Sequence, residues 1–518
     1  IEVDDNDESE RQAIIDFFNT LDEVKPAIIA GYNSANFDWY FIFKRCEHLG
    51  LNIEDIAKTL KPDVQIWVKE AMLKLGNEVE SYIQTNMFGY SIIDINHATR
   101  RAQAINSSMK NTQLKYVCKF NKIAKKNRVY IKGDKIGEYW KTKDKFYFDD
   151  ITGSYIKNQP KIEYQDIITR EMVKANPDNI YVFGDNDLRE GYGGQAKEMR
   201  GENNTIGIVT KKKPATTPDS YFTDDELENN KKKINADIKQ ILNNVKKGKT
   251  IVLPKNGIGT GMSELDKKAP KTYAFLQASL NALIKYVNSY KECDGKYIVN
   301  RYLMDDLWET IEVDNVYNQS SFMLGKIIPT SYQRVSTMGT AGLWKMLMLT
   351  WSYENGLAIP TNDVKRDFVG GLSRLYKVGF SKKLRKLDYN SLYPAIQLAH
   401  DVFPSCDIMG VLKSFLKYFH TERFKAKKLS KKYGKEGNNQ LEQLFDRKQL
   451  PLKIFINSMF GALGAPTSFN WAEMNVSEGI TCRARQYLRL MVRFFMKKGY
   501  QPLVLDTDGV NFMAPEEW

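Results

Sequence analysis

The stretch "VLDTDGVNF" at residues 504–512 sets two aspartates, Asp506 and Asp508, about a threonine where an apolar run gives way to a turn. Carboxylates at that spacing repel one another unless a positive group lies between them. A solvated turn is the plain accommodation. A bound divalent cation is the chemical one, and it requires matching groups from elsewhere in the chain.

Three other segments offer such groups. "RKLDYNSLYPAI" at 385–396 reads as a short strand that ends at Asp388 and turns into a helix. Near the start of that helix Ser391, Leu392 and Tyr393 would present backbone N–H groups, which favour an anion. Asp388 alone is equally a helix cap. In "TERFKAKKLSKKYG" at 421–434, Arg423 and Lys427 stand at i and i+4 on one helix face, which by itself describes a solvated basic helix. "LPLKIFINSMFGALGAP" at 450–466 is more demanding. Its Lys453, Asn457 and Phe460 form one helical stripe that suits neither a core nor a solvent face, and Gly461 leaves room for a close approach. Together the segments supply three carboxylates, three cations and a flat platform. Phosphoryl transfer needs that set. Hard oxygen ligands hold two Mg²⁺ ions roughly 3.5–4 Å apart, while Lys and Arg neutralise a triphosphate.

Composition agrees. A chain of 518 residues implies several domains, and a net charge of +13 implies an electropositive surface suited to nucleic acid. Cys46, Cys118, Cys293, Cys406 and Cys482 are scattered without a CxxC pair, which argues against zinc and a disulfide framework. No stretch is long and apolar enough to cross a membrane. The chain opens at Ile1 and stops at Trp518 just past a strand, so it reads as a fragment cut at both ends.

The spelling of these segments resembles the family B DNA polymerases, the replicative type common in bacteriophages. "DYNSLYP" (388–394) is similar to the family's motif A, DxxSLYP; "KIFINSMFG" (453–461) to motif B, KxxxNSxYG; and "VLDTDG" (504–509) to motif C, YGDTDS. They follow the family's order. The resemblance implies a template-directed DNA polymerase acting on primer–template DNA and dNTPs in the cytoplasm of an infected host cell. Mg²⁺, or Mn²⁺ in its place, would be the cofactor and a processivity factor a further partner.

By position, the resemblance makes Asp388 and Asp508 the principal metal ligands, Asp506 the supporting carboxylate and Tyr389 a carbonyl ligand. Tyr393 would lie under the sugar. Arg423, Lys427 and Lys453 would grip the triphosphate, and Asn457 would pack beside the incoming nucleotide. "FVGG" (368–371) is similar to the family's YxGG turn, which places Gly370 and Gly371, with Phe460 and Gly461, against template and primer. Phe460 and Phe368 lack the usual tyrosine hydroxyl, and Val504, Leu505 and Gly509 stand where Tyr, Gly and Ser are common. These departures touch fidelity and primer positioning and remove no metal ligand.

"AGYNSANFDWYF" (30–41) is similar to the family's second exonuclease motif through Asn33, Phe37 and Asp38, and "YLMDD" (302–306) to the third through Tyr302 and Asp306. Each aspartate alone is also a plain cap. In the family context Tyr302 would orient the attacking water of a proofreading hydrolysis. "GYSIID" (89–94) resembles the sequence between these motifs, and the first motif is expected upstream of Ile1. The implied fold is a multidomain α/β and α+β chain. A ribonuclease H-like 3′–5′ exonuclease domain would occupy 1–158 and 290–330, the palm 331–410 and 466–518, and two-helix fingers 411–465. The thumb would be missing, so the fragment alone is expected to be inactive.

Residues 163–288 change character. "YVFGDNDLREGYGGQAKEMRG" (181–201) and "LPKNGIGTGMSELDKKAPKT" (253–272) put glycine-rich turns after short apolar strands, as an inserted α/β module would. The insert resembles a macro domain. That resemblance implies that Gly191, Gly193 and Gly194 on one loop and Gly257, Gly259 and Gly261 on another cradle a nucleotide or ADP-ribose, with Asp185 and Asn186 in contact. Glycine turns are equally just tight connections. A reading of another class follows: a nucleotide- or ADP-ribose-binding module on a catalytically inactive polymerase scaffold. The intact Asp388, Asp506, Asp508 and Lys453 weigh against it.

Overall fold

Apolar residues at Leu505, Val510 and Phe512 fall on one side of two short strands, Pro502–Asp506 and Gly509–Met513, joined by the two residues Thr507 and Asp508. Their buried side packs on Leu488, Met491, Val492 and Phe495 of the helix Met474–Lys497. This hairpin is the centre of an antiparallel sheet of order 373–375, 502–506, 509–513, 384–388 among the described residues. The computed structural model describes residues 6–513 apart from 59, 61–62, 76–77, 106–107 and 380–383. The outermost bounds expected for the first and last segments, 1 and 518, lie outside the described residues.

The chain forms two compact units, one of Ile1–Ile123 with Thr310–Trp518 and one of Ala124–Glu309. In the first, the helix pair Val411–Lys435 and Asn439–Leu463 packs along its length around Leu416, Phe419, Phe455 and Met459. Trp344, fully buried on the helix Thr340–Glu354, stacks on Phe455 at 4.1 Å and donates its indole N–H to the Phe455 carbonyl at 3.1 Å. Loss of that ring would cost about 3–5 kcal/mol. The same unit pairs strand Ile28–Gly31 in parallel with Ser91–Asp94, in a register that sets Gly31 beside Asp94.

The second unit holds a parallel sheet of order 161–165, 250–254, 179–186, 205–211. Helices Leu227–Val245 and Pro270–Asn288 cover it through Ile234, Ile238, Ile241, Leu276, Leu280 and Leu283. Its short central strands are buried on both faces, which explains their continuous apolar spelling. No helix among the described residues is long and apolar enough to cross a membrane.

Candidate active site

The sheet register places Gly509 opposite Asp388 on one side and opposite Asp506 on the other. Residues more than a hundred positions apart thereby come to one strand end. A Cβ at Gly509 would overlap Asp388 Oδ1, so the glycine makes room for that carboxylate. The Tyr389 N–H donates to the Asp508 carbonyl at 2.9 Å and ties the two tips together. Asp506 Oδ1 accepts from Ser373 Oγ at 2.9 Å and from Thr507 Oγ1 at 3.1 Å. Thr507 adopts a left-handed φ of 50°. For a β-branched residue this costs about 1–2 kcal/mol, which its N–H bond to the Leu372 carbonyl at 3.1 Å helps to hold.

Partial desolvation, reinforced by Asp388 and Asp506, pushes the carboxyl of the exposed Asp508 above the ordinary value, while Lys386 opposes the rise. Lys386 Nζ lies 3.1 Å from Asp388 Oδ2 and is the positive group among the three acids. Among the described residues no three acidic, histidine or cysteine side chains are drawn close enough to close a metal shell. The donor set nevertheless fits a hard cation: carboxylates crowded against their mutual repulsion, with Lys386 supplying the charge that a cation would replace.

Cations gather on the segment that continues Asp388. Ser391, in a left-handed conformation at φ 53°, begins the helix Leu392–His400 without capping it, and its Oγ accepts from Arg423 Nη1. Among the described residues Asp388 caps no helix either, since Ser391 is the residue before that helix. Arg423 is only 5% exposed, and its Nε has no acceptor among the described residues. Lys427 Nζ reaches Asn390 Oδ1 at 3.4 Å. Burial first, then Arg423, Lys431 and Lys453, press the Lys427 ammonium below its ordinary value. Arg423, Lys427 and Lys453 have no carboxylate within 4 Å among the described residues. Three cations forced together without a counter-ion are an anion site.

Lys453, Asn457 and Gly461 are exposed along the helix Asn439–Leu463, and Phe460, half-buried, lies 4.5 Å from the Tyr393 ring. Leu392 is buried in the helical core against which both rings pack. Among the described residues, no atom beyond the adjoining backbone comes within 4 Å of a Cβ placed at Gly461 or Gly370, so packing there demands neither glycine. Gly371 differs: a Cβ there would stand 3.1 Å from Tyr393 Oη and 3.2 Å from Thr507 Cγ2. Arg485 holds the preceding turn by donating to the carbonyls of Val369 at 2.5 Å and Gly370 at 2.7 Å.

The exonuclease-like residues fall into the two units. In the first, Asn33 takes a left-handed φ of 61°, and its N–H, with those of Ala35 and Asn96, donates to the Asp94 carboxylate at 2.8, 3.1 and 2.9 Å. Asp94 is buried, and burial raises its carboxyl in spite of those three donors. Sequence reading assigned it no role; its signal is an acid ending a strand registered against Gly31. Asp38 opens the helix Asp38–Leu49 without a capping bond, and desolvation raises its carboxyl too.

In the second unit Asp306 is bound by Arg128, which also holds Glu309, and Tyr302 lies under the same guanidinium at 5.7 Å. Neighbouring Asp305 takes Lys125 at 2.5 Å and the Val129 N–H at 2.9 Å. The Arg128 guanidinium thus already neutralises the Asp306 carboxylate.

The glycines singled out in the insert, Gly191, Gly193, Gly194, Gly257, Gly259 and Gly261, line one cavity of about 370 Å³ with Asp185 and Asn186. The two polar residues are already engaged. Asp185 accepts from Arg200 and from Arg189 at 3.4 Å, and the Asn186 carboxamide closes on the Glu190 carbonyl at 2.8 Å. They shape the cavity wall.

Comparison with known proteins agrees with the geometry. Residues 4–117 match the exonuclease domain of DNA polymerase family B, and residues 402–509 match DNA polymerase family B. Asp388 lies outside the second match; Lys453, Asn457, Asp506 and Asp508 lie within it. Residues 163–279 match a family of unknown function, DUF7831. DNA polymerase 1 of Pyrococcus abyssi is 28% identical over 247 residues, covering 42% of this chain and 31% of that protein. The DNA polymerase of Thermococcus sp. (strain 9oN-7) is 26% identical over 257 residues, covering 44% and 32%. The chain thus spans about a third of the length of the curated relatives it matches. The solved family B DNA polymerase of Pyrobaculum calidifontis shares the fold, with a TM-score of 0.51 at 15% identity over 98% of this chain and 48% of that one. These relatives are archaeal, and the phage origin suggested by the motif spellings has no counterpart among them.

Proposed function

The chain belongs to the family B DNA polymerases, and on that premise we propose that it carries the nucleotidyl-transfer site of a template-directed DNA polymerase. The observation that carries this reading is the meeting of Asp388, Asp506 and Asp508 around Gly509, beside a segment that gathers three cations with no carboxylate within 4 Å among the described residues. The primer 3′-hydroxyl attacks the innermost phosphorus of a dNTP, a new P–O bond forms, and pyrophosphate and the hydroxyl proton leave. Asp388 and Asp508 would hold divalent metal, with Asp506 in support and the Tyr389 carbonyl nearby. Two such ions, when bound, neutralise the charge that builds on the attacking and leaving oxygens.

The chain's own groups do the rest. Arg423, Lys427 and Lys453 hold the triphosphate from the helix side. The Tyr393–Phe460 pair forms an apolar floor for the sugar, and Asn457 stands beside the nucleotide. The Gly370–Gly371 turn, pinned by Arg485, meets the template–primer backbone. Asn33, Asp38, Tyr302 and Asp306 would serve a 3′–5′ exonuclease, with Asp94 positioning the Asn33 loop. The insert would bind a nucleotide or ADP-ribose in its glycine-lined cavity. An inactive scaffold has no use for crowded, unpaired charge, and this favours the enzyme.

Primer extension by the protein that carries this chain, wild type against Asp508→Ala, tests the reading. Incorporation should fall by about four orders of magnitude or more while duplex binding persists. Equal extension by both proteins would refute it.

A further inference from the structure

Across the hairpin Asp506 lies opposite Gly509, which has no side chain to steady it. Its other cross-strand neighbour is Ser373, set directly opposite on the antiparallel strand Ser373–Leu375. Side chains opposite one another in such a pair share a face of the sheet and stand close enough to touch. The Ser373 hydroxyl donates to Asp506 Oδ1 at 2.9 Å, the same oxygen that accepts the Thr507 hydroxyl at 3.1 Å. Asp506 Oδ2 accepts no hydrogen bond among the described residues. Two hydroxyls on one oxygen fix the plane of the carboxylate and leave its second oxygen unengaged.

The serine is itself held. Upstream of it, Arg485 and the Thr481 hydroxyl grip the Val369 carbonyl at 2.5 and 2.8 Å. The Thr507 N–H donates to the carbonyl of Leu372, the residue before the serine, at 3.1 Å. A Cβ on Gly371 would stand 3.2 Å from Thr507 Cγ2, so the 369–371 turn packs on the hairpin tip. Ser373 thus reaches Asp506 from fixed backbone. The acid needs such a donor, because it is exposed and shares its strand end with Asp388 and Asp508. Repulsion among three carboxylates turns an untethered one outward into water.

We propose that Ser373 is a positioning residue of the nucleotidyl-transfer site. Its hydroxyl holds Asp506 in the orientation in which the free oxygen supports divalent metal, and it ties that acid to the strand following the template–primer turn. The inference rests on reading Asp388, Asp506 and Asp508 as a metal site, and adds the group that aims the supporting acid. Ser373 touches neither metal nor substrate, so its effect falls on metal affinity.

Spin-resonance titration of free Mn²⁺ with the whole chain, in the absence of substrate, tests it. The variants are Ser373→Ala, Ser373→Thr, Asp506→Asn and the Ser373→Ala, Asp506→Asn pair, with Asp508→Asn as the gauge of the site itself. Ser373 is exposed, so alanine there leaves the packed core untouched. Asp508→Asn should weaken Mn²⁺ binding by at least about tenfold. Ser373→Ala should weaken it by about threefold to tenfold, the effect of one hydrogen bond to a charged group, and Ser373→Thr should restore it. In the Asp506→Asn background, removing the serine hydroxyl should change nothing further, since the acid it aims is gone. Equal Mn²⁺ affinity in wild type and Ser373→Ala would overturn the proposal and leave the metal site standing. An equal loss from Ser373→Ala in both backgrounds would also overturn it, by tracing the effect to a loosened strand. Unchanged binding in Asp508→Asn would instead remove the metal site, and the role of Ser373 with it.

Discussion

Lys386 Nζ sits 3.1 Å from Asp388 Oδ2, two residues along the same strand, and feels Asp508 and Asp506 as well. It holds the carboxylates together and stands in the way of a competing cation. Lys386→Met should therefore tighten Mn²⁺ binding at pH 8, by about two- to tenfold for an exposed charge pair. A spin-resonance titration of free Mn²⁺ reads this directly. Weaker binding in the variant would mean that the lysine helps to build the site.

Asp508 gives a pH signature. Its folded carboxyl is raised by partial desolvation and by its acidic neighbours, so its contribution to stability is present below the ordinary carboxylate range and is lost as pH climbs through it. Without metal, Asp508→Asn should melt higher than wild type at pH 7, and the gap should close as pH falls below about 4. Thermal melts across that range check the sign. Added Mg²⁺ should raise wild type and leave the variant behind.

Arg423 trades stability for binding. The residue is 5% exposed, with Nε unsatisfied and no acid within 4 Å among the described residues. Arg423→Met should stabilise the nucleotide-free fold by about 1 kcal/mol and raise the dNTP KM by roughly tenfold to a hundredfold. Denaturant unfolding and steady-state incorporation measure the two effects separately.

Gly509 departs from the serine common in the family, yet restoring that serine should do harm. A Cβ there overlaps Asp388 Oδ1 and lies 3.0 Å from the Leu387 carbonyl oxygen. The Asp388 carboxylate must rotate away, and Gly509→Ser should lower incorporation by about tenfold at fixed Mg²⁺. Pre-steady-state incorporation at several Mg²⁺ levels would show it.

In the insert, Asp185→Ala should leave Arg200 without its carboxylate in a largely buried place. A loss of about 3 kcal/mol is expected from such a broken pair, read by chemical denaturation. A change confined to ligand affinity would show that Asp185 contacts ligand after all.

Much of this molecule is local and so was legible in the order of its residues. Asp388 ending a strand before a helix, the 507–508 turn, the Lys453–Asn457–Phe460 stripe and the glycine turns each follow from neighbours a few positions away, where periodicity and backbone sterics act. What lay beyond the sequence is who meets whom. Register across strands set Gly509 between Asp388 and Asp506 and made Lys386 their counter-ion. Folding of the second unit gave Asp306 to Arg128 and Asp185 to Arg200, and left Lys211 buried without an acid within 4 Å among the described residues. Pairing of charges depends on distance in space, and chain order constrains that distance only over a turn or two of backbone; the rest is decided when the cores close.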